Sequence, residues 1–291
     1  MSRGAWIRYI AWRWFRSGKD AGPSLRPATA GIAIGVAALL CVIGVMNGFQ
    51  VGFIDAVLDL DSFHLRVPGD SATEAELKGA LSKVVSVISF IDIRTMAAND
   101  QGRSYPVRVK ILEDDVVTAD PDFIESLGMR SGAFKDGLVI GSELSRRLDA
   151  RPGDTLNLLA VSADEDEGIS TGMVAVTVAG IYHSGYYDFD ATLAFLPRSV
   201  SPSLASGETV MFGVKLADRY GDERAMAELS RAGITGGETW REYNRAFFGA
   251  LRMEKSVMRM LIGRIFLVVG VNIYHSMRKT VYARVDDVAT L

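Results

Sequence analysis

Between Arg26 and Asp55 no side chain is ionisable, and the run from Pro27 to Ile54 has the core AGIAIGVAALLCVIGVMNGF. As a helix at ~1.5 Å per residue, about 20 such residues cross a ~30 Å hydrocarbon layer. This predicts a membrane span rather than a buried helix of a soluble domain. The basic leader is long, the apolar stretch exceeds a signal-peptide core, and no small-residue cleavage site closes it, so the helix is expected to stay as an anchor. A second apolar stretch runs from Leu261 to Met277, with Arg264 inside it. Its charge-free part is short for a span, and a crossing helix must keep Arg264 near its outer end, where the side chain can snorkel.

Between the two stretches the pattern is that of a folded domain. Phe53, Val57 and Leu60 continue at helical spacing beside Asp55, Asp59 and Asp61, which predicts a stalk extending the first span. A short strand is expected at Phe63–Val67, a turn at Pro68-Gly69, and an amphipathic helix around Ala72–Lys83 capped by Ser71 with Glu74 three residues on. Strand-like runs follow at Val84–Ile93 and Tyr105–Ile111, and short helices at Ala119–Leu127 and Ser142–Leu148. A β-rich part covers Asp154–Pro197, including the alternating stretch Met173–Ile181 and the apolar Ala191–Leu196. A strand (Val210–Leu216), a helix (Asp222–Arg231) and the amphipathic segment Trp240–Met260 lead into the second apolar stretch. The order of elements predicts an α+β domain with no internal repeat.

Charge gives this layout a direction. The net charge of −3 divides into +5 over residues 1–49, −11 over 50–255 and +3 over 256–291. An acidic middle repels a phosphate backbone, which excludes nucleic acid as its partner. Basic flanks on the cytoplasmic side place both termini inside and the acidic domain outside. Arg278, Lys279 and Arg284 form the flank that calls for a return crossing. The leader WIRYIAWRWF holds three of the four tryptophans (Trp6, Trp12, Trp14) among Arg8 and Arg13, a composition suited to a helix at headgroup level. Two Gly-x-x-x-Gly spacings, Gly31–Gly35 and Gly44–Gly48, allow close helix approach within a membrane.

No catalytic pattern emerges. The single cysteine, Cys41, excludes an intrachain disulfide framework, and His64, His183 and His275 lie too far apart to suggest a metal site. There is no phosphate-loop motif, no Gly-x-Ser-x-Gly elbow and no His-Glu-x-x-His. The run Asp164-Glu165-Asp166-Glu167 lacks the alternating spacing of a calcium loop. His183 beside Ser184 has no evident third member to orient it. The chain is therefore not expected to be an enzyme or to bind a cofactor itself.

Several of these segments together resemble one family, the membrane subunits LolC and LolE of lipoprotein-releasing ABC transporters. The resemblance rests on Val45-Met46-Asn47-Gly48-Phe49-Gln50 closing the first span and on Phe63-His64-Leu65-Arg66-Val67 as a first external strand. It continues through Gly141-Ser142-Glu143-Leu144 with Arg151-Pro152-Gly153-Asp154-Thr155-Leu156, and through Gly180-Ile181-Tyr182-His183-Ser184-Gly185-Tyr186-Tyr187-Asp188-Phe189-Asp190. Leu251 to Met258 is similar to the family's lead-in to its second span, and Asp287-Val288-Ala289-Thr290-Leu291 to the start of its cytoplasmic coupling segment.

The resemblance implies a MacB-like permease fold in the bacterial inner membrane: a cytoplasmic leader (1–26), a first transmembrane helix (27–49), a periplasmic α+β domain with stalk helices (50–257), a second transmembrane helix (258–277) and the start of a coupling segment (278–291). It implies as partners an ABC ATPase dimer that binds the ATP, a second permease subunit (identical or paralogous), acylated lipoproteins, membrane lipid and a LolA-like periplasmic carrier. By matched position, Met46, Phe49, Phe53, Met258 and Leu261 would offer apolar surface to acyl chains, and Arg284, Asp286 and Asp287 would dock on the ATPase. Tyr186, Tyr187 and Asp188 are expected to form a turn packing within the domain. Two departures stand out: the family has four spans, so the chain reads as a fragment or the product of a truncated gene. The stretch Val161–Gly172, where LolC carries a carrier-capturing hook, is short and acidic. Related permeases that export a small molecule or peptide, or that transmit ATPase motion to a cell-wall hydrolase as FtsX-type proteins do, are the alternatives.

Overall fold

A computed structural model describes residues 9, 25–164, 168–205 and 207–282. It falls into two units, residues Val51–Arg245 and the flanking segments on either side of them. The flanking unit contains two long helices. Helix α1 spans Leu25–Ala56, and the last helix spans Arg245–Tyr282. The helical stretches Ala33–Ser62, which includes a π-helical turn after Ala56, and Arg245–His275 are long and apolar enough to cross a membrane. The second is continuous through Arg264, which is exposed on its surface. Most of the apolar side chains on both helices are exposed, Phe49 at 63% and Phe266 and Leu267 at 67% each. Such a surface is costly in water and ordinary in lipid. A Cβ placed on Gly31, Gly35, Gly44 or Gly48 would meet nothing within 4 Å, so this glycine surface is open in the single chain.

The unit Val51–Arg245 is built on one ten-stranded mixed sheet. Helix α1 passes into a π-helical turn at Val57–Ser62 and stops at Phe63, whose φ of 54° turns the chain into strand β1 (Leu65–Pro68). Then come α2 (Glu74–Ala80), β2 (Val84–Ala98), β3 (Ser104–Leu112), α3 (Val116–Ala119), α4 (Pro121–Leu127), β4 (Met129–Gly132), β5 (Leu138–Gly141) and α5 (Ser142–Leu148). The chain continues through β6 (Thr155–Asp164), β7 (Gly168–Tyr182), α6 (Tyr187–Thr192), β8 (Leu193–Pro197), β9 (Met211–Leu216), α7 (Asp222–Arg231), β10 (Glu238–Thr239) and α8 (Trp240–Tyr243). The strand order is β10-β1-β9-β2-β3-β8-β5-β7-β4, and β6 pairs with both β7 and β2. The path β2-β3-β8-β5-β7-β6 therefore closes back on β2. β3/β8 and β5/β7 are parallel, and the other pairs in this ring are antiparallel.

Three apolar clusters follow from this layout. The ring encloses Ile91, Val109, Ile111, Leu156, Leu158, Val178 and Leu196 together with Leu144 and Leu148 of α5. A second cluster joins Val57, Leu60 and Phe63 to Phe90, Phe123, Tyr182 and Phe195. A third packs α2 and α7 on β1 and β9 through Leu77, Leu229, Leu65 and Val214.

Some local expectations shift. The cap of α2 is Thr73, not Ser71. Ser71 closes the Pro68 turn through its N–H, whereas Thr73 has extended dihedrals and exchanges bonds with Glu76: Glu76 N–H reaches the Thr73 hydroxyl at 3.4 Å and the Glu76 carboxylate accepts from Thr73 N–H at 2.8 Å. The helix expected at Ala119–Leu127 is two, because Pro121 starts a new one with Asp120 as its cap. β2 and β7 run well beyond their alternating stretches, because each exchanges partners along its length.

Candidate functional site: a buried charge cluster where the chain enters and leaves the domain

Strand β3 reads Val107-Arg108-Val109-Lys110-Ile111, so the two cations share one face while the aliphatic residues fill the ring. Lys110 is fully buried, and its register partner on β2 is Asp92. Its ammonium lies 3.8 Å from carboxylate oxygens of both Asp92 and Asp61 and donates to the Asp61 carbonyl. The rings of Phe63 and Phe90 stand 5.0 and 4.5 Å away. Burial lowers the lysine, the two carboxylates oppose it, and the outcome is about 8. Burial raises Asp92, but Lys110, Arg66 and Arg108 outweigh it and hold the carboxyl below its usual range. Burial likewise opposes the charge of Arg108, and Asp61 and Asp92 more than restore it, holding the guanidinium above its ordinary value.

The cluster ties both ends of the domain to the same strands. On the incoming side, the Asp61 carboxylate pairs with Arg108 at 2.5 Å, and Asp59 pairs with Lys215 of β9 at 3.1 Å and accepts from the Ser126 hydroxyl at 3.0 Å. Lys215 also meets the buried Asp120 at 2.5 Å. On the outgoing side, the Tyr243 hydroxyl accepts from Arg108 at 2.9 Å, and its ring lies 4.0 Å below the Arg66 guanidinium, which is itself paired with Asp92. Two bonds join the sides directly. The Asn244 amide donates to the Ser62 hydroxyl at 2.7 Å, and Trp240 N–H donates to the His64 carbonyl at 3.1 Å.

His64 completes the junction: its Nδ1 accepts from Leu216 N–H at 3.2 Å, so the ring is held neutral. Burial, then the nearby Lys215, lowers it to about 4. Buried pairs of this kind add little net stability over an apolar core, but removing one partner strands a charge. Their chemistry here is that of a clamp within the domain, tying residues 59–64 and 240–244 to the same strands of the sheet.

The residues matched to the acyl-chain surface are distributed unevenly. Met46 is half-buried and Phe49 exposed on α1, while on the last helix Met258 is half-buried and Leu261 exposed. Phe53 packs on the domain itself, stacked on Phe189 at 5.7 Å and edge-on to Tyr186 at 5.2 Å. Arg284, Asp286 and Asp287, like the leader tryptophans, lie outside the described residues. Tyr186 and Tyr187 open α6, where Tyr187 is exposed and bonded to Arg147.

The histidine considered as a nucleophile's partner does gain neighbours. His183 Nδ1 faces the Asp190 carboxylate at 2.6 Å and the Ser142 hydroxyl at 3.1 Å. A proton relay needs acid and nucleophile on opposite ring nitrogens, and here both are on one. Asp190 also accepts from Ser184 N–H and Oγ, each at 2.8 Å, which makes the arrangement a turn brace. Among the described residues, no group of three or more His, Cys, Asp and Glu side chains is placed to hold a metal ion.

With this geometry in view, the profile of the MacB-like periplasmic core domain matches residues 28–232. The chain belongs to that family. The match takes in the first apolar helix and the incoming half of the clamp, and ends before Trp240–Asn244. Membership makes this a membrane protein with a periplasmic domain. Among curated relatives, the lipoprotein-releasing system transmembrane protein LolC of Neisseria meningitidis is 23% identical over 282 residues, covering 90% of this chain and 66% of that one. LolC of Haemophilus influenzae is 29% identical over 306 residues, covering 97% and 74%. The chain thus spans just under two thirds of the length of the Neisseria protein. Among solved structures, the periplasmic region of MacB from Actinobacillus actinomycetemcomitans is similar at 10% identity and a TM-score of 0.38, covering 63% of this chain and 91% of that one.

Proposed function

We propose that this chain is a permease subunit of an ABC transporter that extracts lipoproteins from the bacterial inner membrane and passes them to a periplasmic carrier, with ATP bound and hydrolysed by a separate ATPase. The observation that carries this reading is the alignment with LolC proteins along 90% or more of the chain, reaching from the first apolar helix into the second. The need for ATP is physical. Each buried CH₂ of a lipid anchor contributes ~0.8 kcal/mol to membrane affinity, so a multiply acylated protein does not leave unaided on a useful timescale.

In this proposal the N-terminus is cytoplasmic, the domain is periplasmic, and this subunit performs no bond chemistry and holds no cofactor. Met46, Phe49, Met258 and Leu261 offer apolar surface to acyl chains, and Arg284, Asp286 and Asp287 dock on the ATPase. The clamp supports the mechanical part of the reading. A motion delivered through α1 or through the last helix reaches the sheet by way of Asp61–Arg108, Asp59–Lys215 and Asn244–Ser62 rather than through a flexible loop.

Mass spectrometry of the detergent-solubilised complex purified through this chain tests the proposal. It should contain an ATPase with a phosphate-loop motif, a second permease subunit and acylated lipoproteins. Recovery of an outer-membrane channel with its adaptor, or of a cell-wall hydrolase, without lipoproteins would overturn it.

A further inference from the structure

The first six residues of β2 are paired on one side only. Val84 to Phe90 pair with β9, whereas pairing with β3 begins at Phe90↔Leu112, because β3 ends there and the chain turns off through Glu113-Asp114-Asp115 into α3. No described strand pairs the other edge of Val84–Ser89. A groove of about 730 Å³ reaches it, lined by Val85 to Ser89, by Glu113 to Val116 and Arg198, and across the adjoining sheet face by Val210 and Phe212 with Glu74 and Lys78 of α2. Five consecutive strand residues of both side-chain parities line it, so the backbone edge of β2 forms part of its wall.

The charge of the rim points to an occupant. Lys78 is paired with Glu74 and Arg198 with Glu113, whereas the exposed carboxylates of Asp114, which accepts from Ser199 N–H at 3.2 Å, and Asp115 have no cation partner among the described residues. Natural edges are usually blunted with charge, proline or a bulge. Here a bulge between Val84 and Ser86 re-aims the first residues and leaves Val87–Ser89 regular.

We infer that this groove binds an extended, positively charged segment of a second protein, which adds as a strand to the open edge of β2 and sets basic side chains against Asp114 and Asp115. Main-chain bonds supply affinity in strand addition, and side-chain positions supply selectivity. The inference does not depend on the cargo of the transporter.

The test is fluorescence anisotropy on the full chain in phosphatidylcholine nanodiscs, with empty nanodiscs as control. The probe is a short labelled peptide of alternating lysine and valine. It should bind, and Asp114→Asn with Asp115→Asn, both exposed and outside the folded core, should weaken it ~3- to 10-fold in low salt. Methylating alternate backbone amides keeps charge and side chains but removes the donors to the strand edge, so it should weaken binding ~100-fold or more. No binding of the parent peptide, equal binding of a glutamate–valine peptide, or indifference to amide methylation would each overturn the inference.

Discussion

Replacing Asp61 with asparagine tests the clamp where it is most heavily coupled. Asp61 pairs with Arg108 at 2.5 Å and stands 3.8 Å from the ammonium of Lys110, which has no contact with water. Asparagine keeps the shape and deletes the charge. Arg108 retains the Tyr243 hydroxyl, while Lys110 is left with Asp92 as its one nearby anion among the described residues. Breaking a buried pair from one side costs about 3–5 kcal/mol, which for a domain of this size lowers the melting temperature by roughly 6–20 °C.

The penalty has a pH signature. Lys110 sits at about 8 in the folded protein against a usual 10.5. Between those values the unfolded chain binds more protons than the folded one, so the cost of burying the ammonium is full below pH 8 and is relieved as pH rises towards 10.5. The part of the Asp61→Asn deficit that comes from Lys110 should therefore be largest near pH 7 and shrink by pH 10, while the part from Arg108 persists. Calorimetric unfolding of the full chain in detergent at pH 7 and pH 10, wild type beside variant, measures both. A variant within ~1 kcal/mol of wild type, or a deficit equal at the two pH values, would refute the assignment of Lys110 as a buried, anion-dependent cation.

His64 gives a second pH test with the opposite window. Its folded value of about 4 lies below the usual 6.5, so the unfolded state takes up the extra proton and stability falls as pH drops from 6.5 towards 4, by ~3 kcal/mol in full. His64→Gln, titrated by the same calorimetry, should flatten that slope. Gly213→Ala tests the turn into the sheet. A Cβ at Gly213 would overlap the Phe63 ring, and Phe63 is held at positive φ by the turn out of the helix, so the substitution should cost ~1–3 kcal/mol by overpacking. Unchanged unfolding would show that the ring moves freely.

Alternation and apolar length made most of the architecture readable. The two long helices, the β1 to β3 order and the β-rich middle all follow from periods that a buried face imposes. What was not readable were contacts that depend on distant strands. Asp59 and Asp61 look like the polar face of a stalk, because their partners Lys215, Arg108 and Lys110 are brought in only by β9 and β3. Arg108 and Lys110 at alternate positions of an otherwise aliphatic strand read as a solvated face, and only the tertiary cover of Phe63, Phe90, Asp61 and Asp92 buries Lys110 there. Matched position puts Phe53 with the acyl-chain surface. Its rings of contact, Tyr186 and Phe189, lie far away in sequence, and only the folded chain shows that it packs on them. The closing of β6 onto β2 depends on the register of Ala97 with Leu158, which no local pattern encodes.

If the apolar helices handle acylated cargo, photo-crosslinking in living cells from a benzophenone side chain at Met46 or Phe49 should yield adducts with acylated lipoproteins. These adducts should be lost when the cargo's acylated cysteine is mutated. Adducts that persist with non-acylated cargo, or lipoprotein adducts absent while phospholipid ones form, would contradict that role.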